Sequence, residues 1–212
     1  LDTAYNLEAM SPDILVIRHS DSGVPHMIAS HINVPVINAG DGQHEHPSQA
    51  LLDLLTIRQH TKKLEGLNVL IVGDIAHSRV ARSNMHAMKK CGMNVTLVGP
   101  PTMMPIGIEK LGVKVSYNLA EAVVDADVVM MLRIQMERQK QHLFPSVREY
   151  ANLFCLTTEK LKRARKDVLI MHPGPVNRGV EIALDVMESR HSVILHQVNN
   201  GVAVRMALMF LI

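Results

Sequence analysis

The chain has 212 residues, of which 47% are hydrophobic and 20% charged, with a formal net charge of +2. That length suits one large α/β domain or a domain and a half, and the near-neutral balance lacks the basic excess that binding to a phosphate backbone leaves, so nucleic acid is not an expected partner. Cys91 and Cys155 form no C-x-x-C pair, which suits a reducing cytoplasm and argues against a disulfide scaffold or structural zinc; no apolar run reaches the roughly 18 to 20 residues of a membrane helix, because "DVVMMLRI" and "VAVRMALMFLI" each contain an arginine.

The opening "LDTAYNLEAM" reads as a helix without a cleavable signal pattern, and since it starts on Leu1 rather than methionine a native start upstream is expected. Short β-branched runs then alternate with helical patterns: "DILVIR" at 13–18, "VPVIN" at 34–38, "LNVLIVGD" at 67–74, "NVTLVGP" at 94–100, "VKVSY" at 113–117, "ADVVMMLRI" at 126–134 and "DVLIMH" at 167–172. Strands of this length separated by helices indicate βαβ units and parallel sheets covered on both faces. Between them "SQALLDLLTIRQH" is a helix with Ser48 as its expected N-cap, and "VARSNMHAMKKCG" is a helix that Gly92 stops.

A charged turn, "TKKLEG", follows the helix that begins near Ser48, and five further strands come after it. The expected architecture is therefore α/β with two doubly wound parallel-sheet domains, the first incomplete in this chain. Residues 1–48 form the remainder of the first domain, 49–198 the second, and 199–212 an apolar helix returning to the first. Two strands alone cannot close a core.

In open α/β sheets the working residues lie on the loops that leave the carboxyl ends of the strands. There the chain places Arg18, the segment "NAGDGQHEHPSQ", Arg79 in "DIAHSR", Arg133 in "LRIQMER" and Arg178 in "HPGPVNRG". Repeated guanidinium forks imply a ligand with planar, delocalised negative oxygens, namely carboxylates, phosphates or both. Arg133 and Gln135 stand two apart at a strand end and are expected to point the same way. "HEH" at 44–46 matches neither a zincin helix nor a zinc finger. No G-x-S-x-G elbow is present, and "IVGDIAHSRVA" has one glycine where a dinucleotide fingerprint needs three. What remains for His46 and Gln49, at the first turn of a helix, is to hold a small acyl carbonyl and its amide where the helix N-terminus favours negative charge. A capping or core role for His46 is the alternative.

The run "VIRHS", "NAGDGQHEHPSQALLDLLTI", "VGDIAHSRVARSN", "MLRIQMERQ", "HPGPVNRGVEI" and "QVNNGVAVRMAL" resembles the aspartate/ornithine carbamoyltransferase family over the whole chain. It is nearer the aspartate branch, because the ornithine branch usually carries cysteine in the first histidine box and "HCLP" later. The resemblance implies an enzyme that transfers a carbamoyl group from carbamoyl phosphate to the amine of L-aspartate in pyrimidine biosynthesis. Arg18 and His46 would act on the carbonyl oxygen as catalytic residues, and together with Gln49, Pro173 and Gly174 they would bind carbamoyl phosphate. Arg79, Arg133 and Gln135 would bind aspartate. Neither a metal nor an organic cofactor is implied. The family's assembly is a homotrimer or larger, open to other pyrimidine-pathway or regulatory chains. The family's Ser-Thr-Arg-Thr-Arg phosphate loop and mobile Ser/Lys loop precede the stretch that corresponds to Leu1, so these 212 residues alone are expected to bind weakly and turn over poorly. The alternative reading is a non-catalytic carbamoyltransferase-like subunit that binds partner chains.

Overall fold

The computed structural model describes residues 1–134 and 146–212. Helix α1 (Asp2–Ala9) leads into β1 (Leu15–His19), α2 (Val24–Ala29) and β2 (Val36–Asp41), and the two strands pair in parallel. The long α3 (Pro47–Thr61) then carries the chain to a second sheet. There β3 (Asn68–Val72), α4 (Arg79–Lys90), β4 (Asn94–Val98) and β5 (Lys114–Ser116) come first. The short α5 (Leu119–Ala122), β6 (Val128–Met131), α6 (Val147–Phe154), α7 (Thr158–Leu161), β7 (Leu169–Met171), α8 (Leu184–Met187) and α9 (Ile194–Leu211) complete the described chain. Each of the seven expected strands is present; β1 and β2 begin two residues late and run on to His19 and Asp41, and the other five are shorter than expected by up to three residues at an end.

The second sheet has the order β5-β4-β3-β6-β7, with every pairing parallel. The chain enters at the central β3, winds outward to β5, and returns to the other side of β3 as β6. This makes a switch point between β3 and β6, where a crevice opens at the strands' carboxyl ends. Alternation along the strands fills both faces. Val69, Ile71, Val128 and Met130 pack with Ile57, Met85 and Met88 on one side, while Leu70, Val72, Val129 and Met131 pack with Leu119, Tyr150, Phe154 and Ile182 on the other. Long unbranched methionines fill gaps that a chain with only 3% aromatic residues cannot close with rings.

The first sheet is less covered, and Val16 on β1 remains exposed. Helix α3 joins the two sheets and lies against α4 and α9. Two expectations about helix ends are corrected. The N-cap of α3 is His46, not Ser48, because Pro47 takes the first helical position, where its fixed φ fits and its missing N–H costs nothing. The C-terminal helix begins at Ile194, five residues before the expected 199, since Ile194 and Gln197 are themselves buried. Among the described residues no helix is long and apolar enough to cross a membrane.

Candidate active site

A cleft of about 260 Å³ opens at the switch point. Arg18 reaches it from the end of β1, His46 and Gln49 from the start of α3, and His77 to Val80 from the turn between β3 and α4. Leu132 and Arg133 follow β6, Pro173 to Pro175 follow β7, and Arg205 comes from α9. Seven of the expected residues, Arg18, His46, Gln49, Arg79, Arg133, Pro173 and Gly174, therefore share one cavity. Arg178 is exposed and does not line it. Gln135 lies outside the described residues.

The approach to His46 is built around Asp41. Burial pushes this carboxyl up, but hydrogen bonds from the Asn38 side chain, Gly23 N–H, the His44 ring and Glu45 N–H outweigh that and hold it at about 2. The resulting anion fixes the turn that delivers His46. The three residues of "HEH" then part company. His44 Nδ1 sits 3.0 Å from Asp41 Oδ2, Glu45 accepts from the Ser83 hydroxyl on α4, and His46 donates its backbone N–H to the same Ser83 Oγ at 2.8 Å. Among the described residues no group of three or more His, Cys, Asp or Glu is placed to hold a metal ion.

His46 is 9% exposed. Burial, followed by the positive charges of Arg79, Arg18 and Arg205, lowers its pKa to about 4, so the imidazole is neutral at physiological pH. The Ser48 hydroxyl lies 3.5 Å from His46 Nδ1. In the tautomer in which Nδ1 accepts from that hydroxyl, Nε2–H is the ring's donor.

Arg79 begins α4, where the Ser78 hydroxyl caps the helix by accepting from Ala81 N–H at 3.2 Å. Its guanidinium donates to the Gly42 carbonyl at 3.1 Å and passes so close to Gly40 (φ +114°) that a Cβ there would lie 2.8 Å from Nε. Only glycine allows both that backbone and that approach. Arg133 is held through the backbone beyond it. The buried Glu181 accepts from Ile134 N–H at 2.8 Å and from both N–H groups of Asn177. At the β3 exit, Gly73 (φ +138°) lets Leu132 approach, since a Cβ would sit 2.9 Å from the Leu132 Cβ.

After β7, His172 is buried and its Nδ1 accepts from Gly174 N–H at 2.9 Å. Burial, then the charge of Arg133, pulls its pKa down to about 4. The Pro173–Gly174 turn is thereby tied to a neutral ring. Among the described residues the cleft lining contains four guanidinium groups and no carboxylate, and so suits a ligand carrying several negative charges in a small volume.

Sequence reasoning did not single out His77, Ser78, Leu132 or Arg205 for this site. A signal for Arg205 was in plain view, as the lone charge in "GVAVRMALMFLI". In the sequence it reads only as a break in an apolar run, because an open α/β sheet marks its strand ends as ligand sites and gives no such mark to a helix. His77 is carried in the same turn as Arg79, and its Nδ1 lies 2.9 Å from Asp74 Oδ1.

The family model of the aspartate/ornithine carbamoyltransferase carbamoyl-P binding domain matches residues 1–59, and that of the Asp/Orn binding domain matches residues 65–212. The aspartate carbamoyltransferase catalytic subunit of Syntrophus aciditrophicus (strain SB) is 63% identical over 211 residues, spanning 100% of this chain and 69% of that relative. The structure of aspartate transcarbamoylase from Trypanosoma cruzi in complex with N-(phosphonacetyl)-L-aspartic acid is similar with a TM-score of 0.87 and 28% identity, covering 98% of this chain and 68% of that one. Ornithine carbamoyltransferase from Pyrococcus furiosus is similar with a TM-score of 0.83 and 28% identity over 98% of this chain and 68% of that one. One fold thus serves two acceptor amino acids, and on these matches the chain belongs to the aspartate/ornithine carbamoyltransferase family.

Proposed function

We infer that this chain transfers the carbamoyl group of carbamoyl phosphate to the amine of L-aspartate, giving N-carbamoyl-L-aspartate and phosphate, a step of pyrimidine biosynthesis. One observation carries the reading: four guanidinium groups and a neutral imidazole from separate elements meet in one cleft whose described lining contains no carboxylate. An aspartate acceptor brings a second carboxylate that such a lining attracts. An ornithine acceptor brings an ammonium group that it repels.

The roles follow from charge and reach. His46, neutral and therefore able to donate without already bearing charge, and Arg18 polarise the carbamoyl oxygen and stabilise the oxyanion that forms there. Gln49 takes the carbamoyl amide. The Pro173 and Gly174 carbonyls accept N–H from that amide and from the attacking amine. Arg79, Arg133 and Gln135 hold the aspartate carboxylates. As the amine nitrogen bonds to the carbonyl carbon, the carbon–oxygen bond to phosphate breaks. The bonding pair leaves with the phosphate, and the surplus amine proton passes to a phosphate oxygen. Positioning supplies much of the rate, because two bound reactants held in line no longer need to find each other.

On this reading residues 1–48 serve carbamoyl phosphate, residues 49–198 serve aspartate, and the later part of α9, within residues 199–212, returns to the first unit. Support for the last comes from Leu208 and Met209, which share a cavity with Val16, Ile37 and Ala39 of the first sheet. The working form is a homotrimer or larger, which gives the exposed Leu195, Val198, Val202, Met206 and Phe210 of α9 a surface on which to be covered; native mass spectrometry reads the stoichiometry.

Calorimetry with N-(phosphonacetyl)-L-aspartate, alongside carbamoyl aspartate formation, tests the site. One binding site is expected, weakened roughly tenfold or more by His46→Ala and by Arg133→Ala. Absence of binding, or binding indifferent to both substitutions, refutes the assignment.

A further inference from the structure

Asp53 lies on α3 one turn beyond Gln49 and is completely buried. Its Oδ1 accepts from Gln49 Nε2 at 3.0 Å and from Gln197 Nε2 at 2.8 Å, and its Oδ2 accepts from Asn84 Nδ2 at 2.8 Å. Three helices, α3, α4 and α9, thus present amide groups to one carboxylate. Within the described structure Asp53 has no cationic partner, so it is a buried anion held by neutral donors, an arrangement with a high desolvation cost that packing alone does not explain.

An ionised carboxylate accepts and cannot donate. Each of the three amides must therefore turn its NH2 end toward Asp53 and its oxygen away. For Gln197, the oxygen turned away accepts from His172 N–H at 2.9 Å, the residue whose ring holds Gly174 N–H. For Gln49, the oxygen turned away belongs to a side chain that lines the cleft. We propose that Asp53 is a positioning residue for the carbamoyl group: by accepting only, it presents Gln49 Oε1 to the carbamoyl N–H and, through Gln197, sets the His172–Gly174 segment that receives the same amide from the other side. The inference rests on the reading of Gln49 as a carbamoyl-phosphate contact.

The arrangement also shows how a conservative replacement would behave. Asn84 Oδ1 is buried with no hydrogen-bond partner. An asparagine at position 53 can keep its oxygen toward Gln49 and Gln197 and turn its NH2 toward Asn84, whose side chain reverses to accept and gives up its 3.1 Å donation to the Val80 carbonyl. Alanine offers nothing to any of the three.

Carbamoyl phosphate affinity, measured by calorimetry on the full chain, tests this in a double-mutant cycle. Asp53→Ala is expected to weaken binding about tenfold, Asp53→Asn to stay within about threefold of the parent, and the alanine loss to shrink in a Gln49→Ala background to about the threefold carried by the remaining Gln197 route. A purely structural role would give the same fold loss in both backgrounds and would overturn the proposal, as would an Asp53→Ala chain that binds like the parent while Gln49→Ala binds weakly. If Gln49→Ala itself leaves affinity unchanged, the underlying assignment of Gln49 fails instead.

A second measurement needs no substitution that could unfold the chain. In the unliganded protein the side-chain amide NMR signals of Gln49, Asn84 and Gln197 should move together as Asp53 titrates, because burial pushes its pKa up to about 6 against the pull of the three amides. His46 at the start of the same helix and His172 on the linked segment titrate lower, at about 4, and Arg79 and Arg205 are the cationic side chains that the adjoining helices bring to the cleft. Signals of the three side chains that move with different midpoints overturn the shared-carboxylate arrangement.

Discussion

Replacing Asp53 by asparagine should stabilise the protein at neutral pH, and the size of the effect can be worked from the site. Burial raises the carboxyl from an ordinary 3.8 to about 6, although hydrogen bonds from Asn84, Gln197 and Gln49 pull it back. The folded chain therefore holds a proton that the unfolded chain has released between these two values, and stability falls as pH rises through that window. At about 1.36 kcal/mol per pKa unit, a shift of some two units amounts to roughly 3 kcal/mol lost by pH 7. Asparagine, close in shape to the protonated acid, carries no such pH-dependent penalty, and its cost is the Asn84–Val80 hydrogen bond given up when Asn84 reverses, about 1 kcal/mol at every pH. The difference between the two proteins should thus shift steadily in favour of Asp53→Asn from about pH 4 to about pH 7. For a chain of this size, 3 kcal/mol corresponds to roughly 6–12 °C in Tm. Urea denaturation at pH 4.5, 6 and 7.5 is the assay. A gap that fails to widen with pH, or Asp53→Asn less stable at pH 7.5, would show that the carboxylate is compensated in a way the three amide bonds do not describe.

The remaining expectations concern the cleft. Arg133→Ala should raise the KM for aspartate at least about tenfold and leave that for carbamoyl phosphate within about threefold; equal changes in both, seen in steady-state kinetics, would remove Arg133 from the acceptor side. Gly40→Ala should cost about 1–3 kcal/mol through its φ of +114° and displace Arg79, so denaturation and N-(phosphonacetyl)-L-aspartate binding should suffer together. Arg205→Met should let the His46 pKa rise from about 4, since Arg205 is one of three cations that hold it down; an imidazole NMR titration reads the change, and an unmoved His46 would place Arg205 outside its field. Because His46 gains its proton only near pH 4, its charge should contribute nothing to the pH dependence of binding between pH 6 and 8.

The strands were legible because burial on both faces demands continuous runs such as "NVLIV" and "VVMM", and no side chain elsewhere changes that demand. The site residues at the strand ends were legible for the same reason: once the strands are placed, the loops at their carboxyl ends follow. Arg178 shows where that inference stops. It shares a loop with Pro173 and Gly174, yet the turn closing at Arg178–Ile182 faces it outward, and loop membership carries no direction. Helix α3 is harder still. Its pattern "QALLDLLTI" suggests that the leucines are inside and the aspartate outside, but Leu51 is 44% exposed while Asp53 is fully buried. Nothing local reverses them. The partners that make Asp53 tolerable, Asn84 and Gln197, lie 31 and 144 residues away, and Asn200 meets Thr56 and Gln59 across a similar span. A helix that joins two sheets must pack against elements from both, and here it does so through amides as well as through oil. Such a contact keeps a direction that a purely apolar one lacks, because each amide has a donor end and an acceptor end. That polarity is what lets a buried residue of α3 govern which atom of Gln49 faces the cleft.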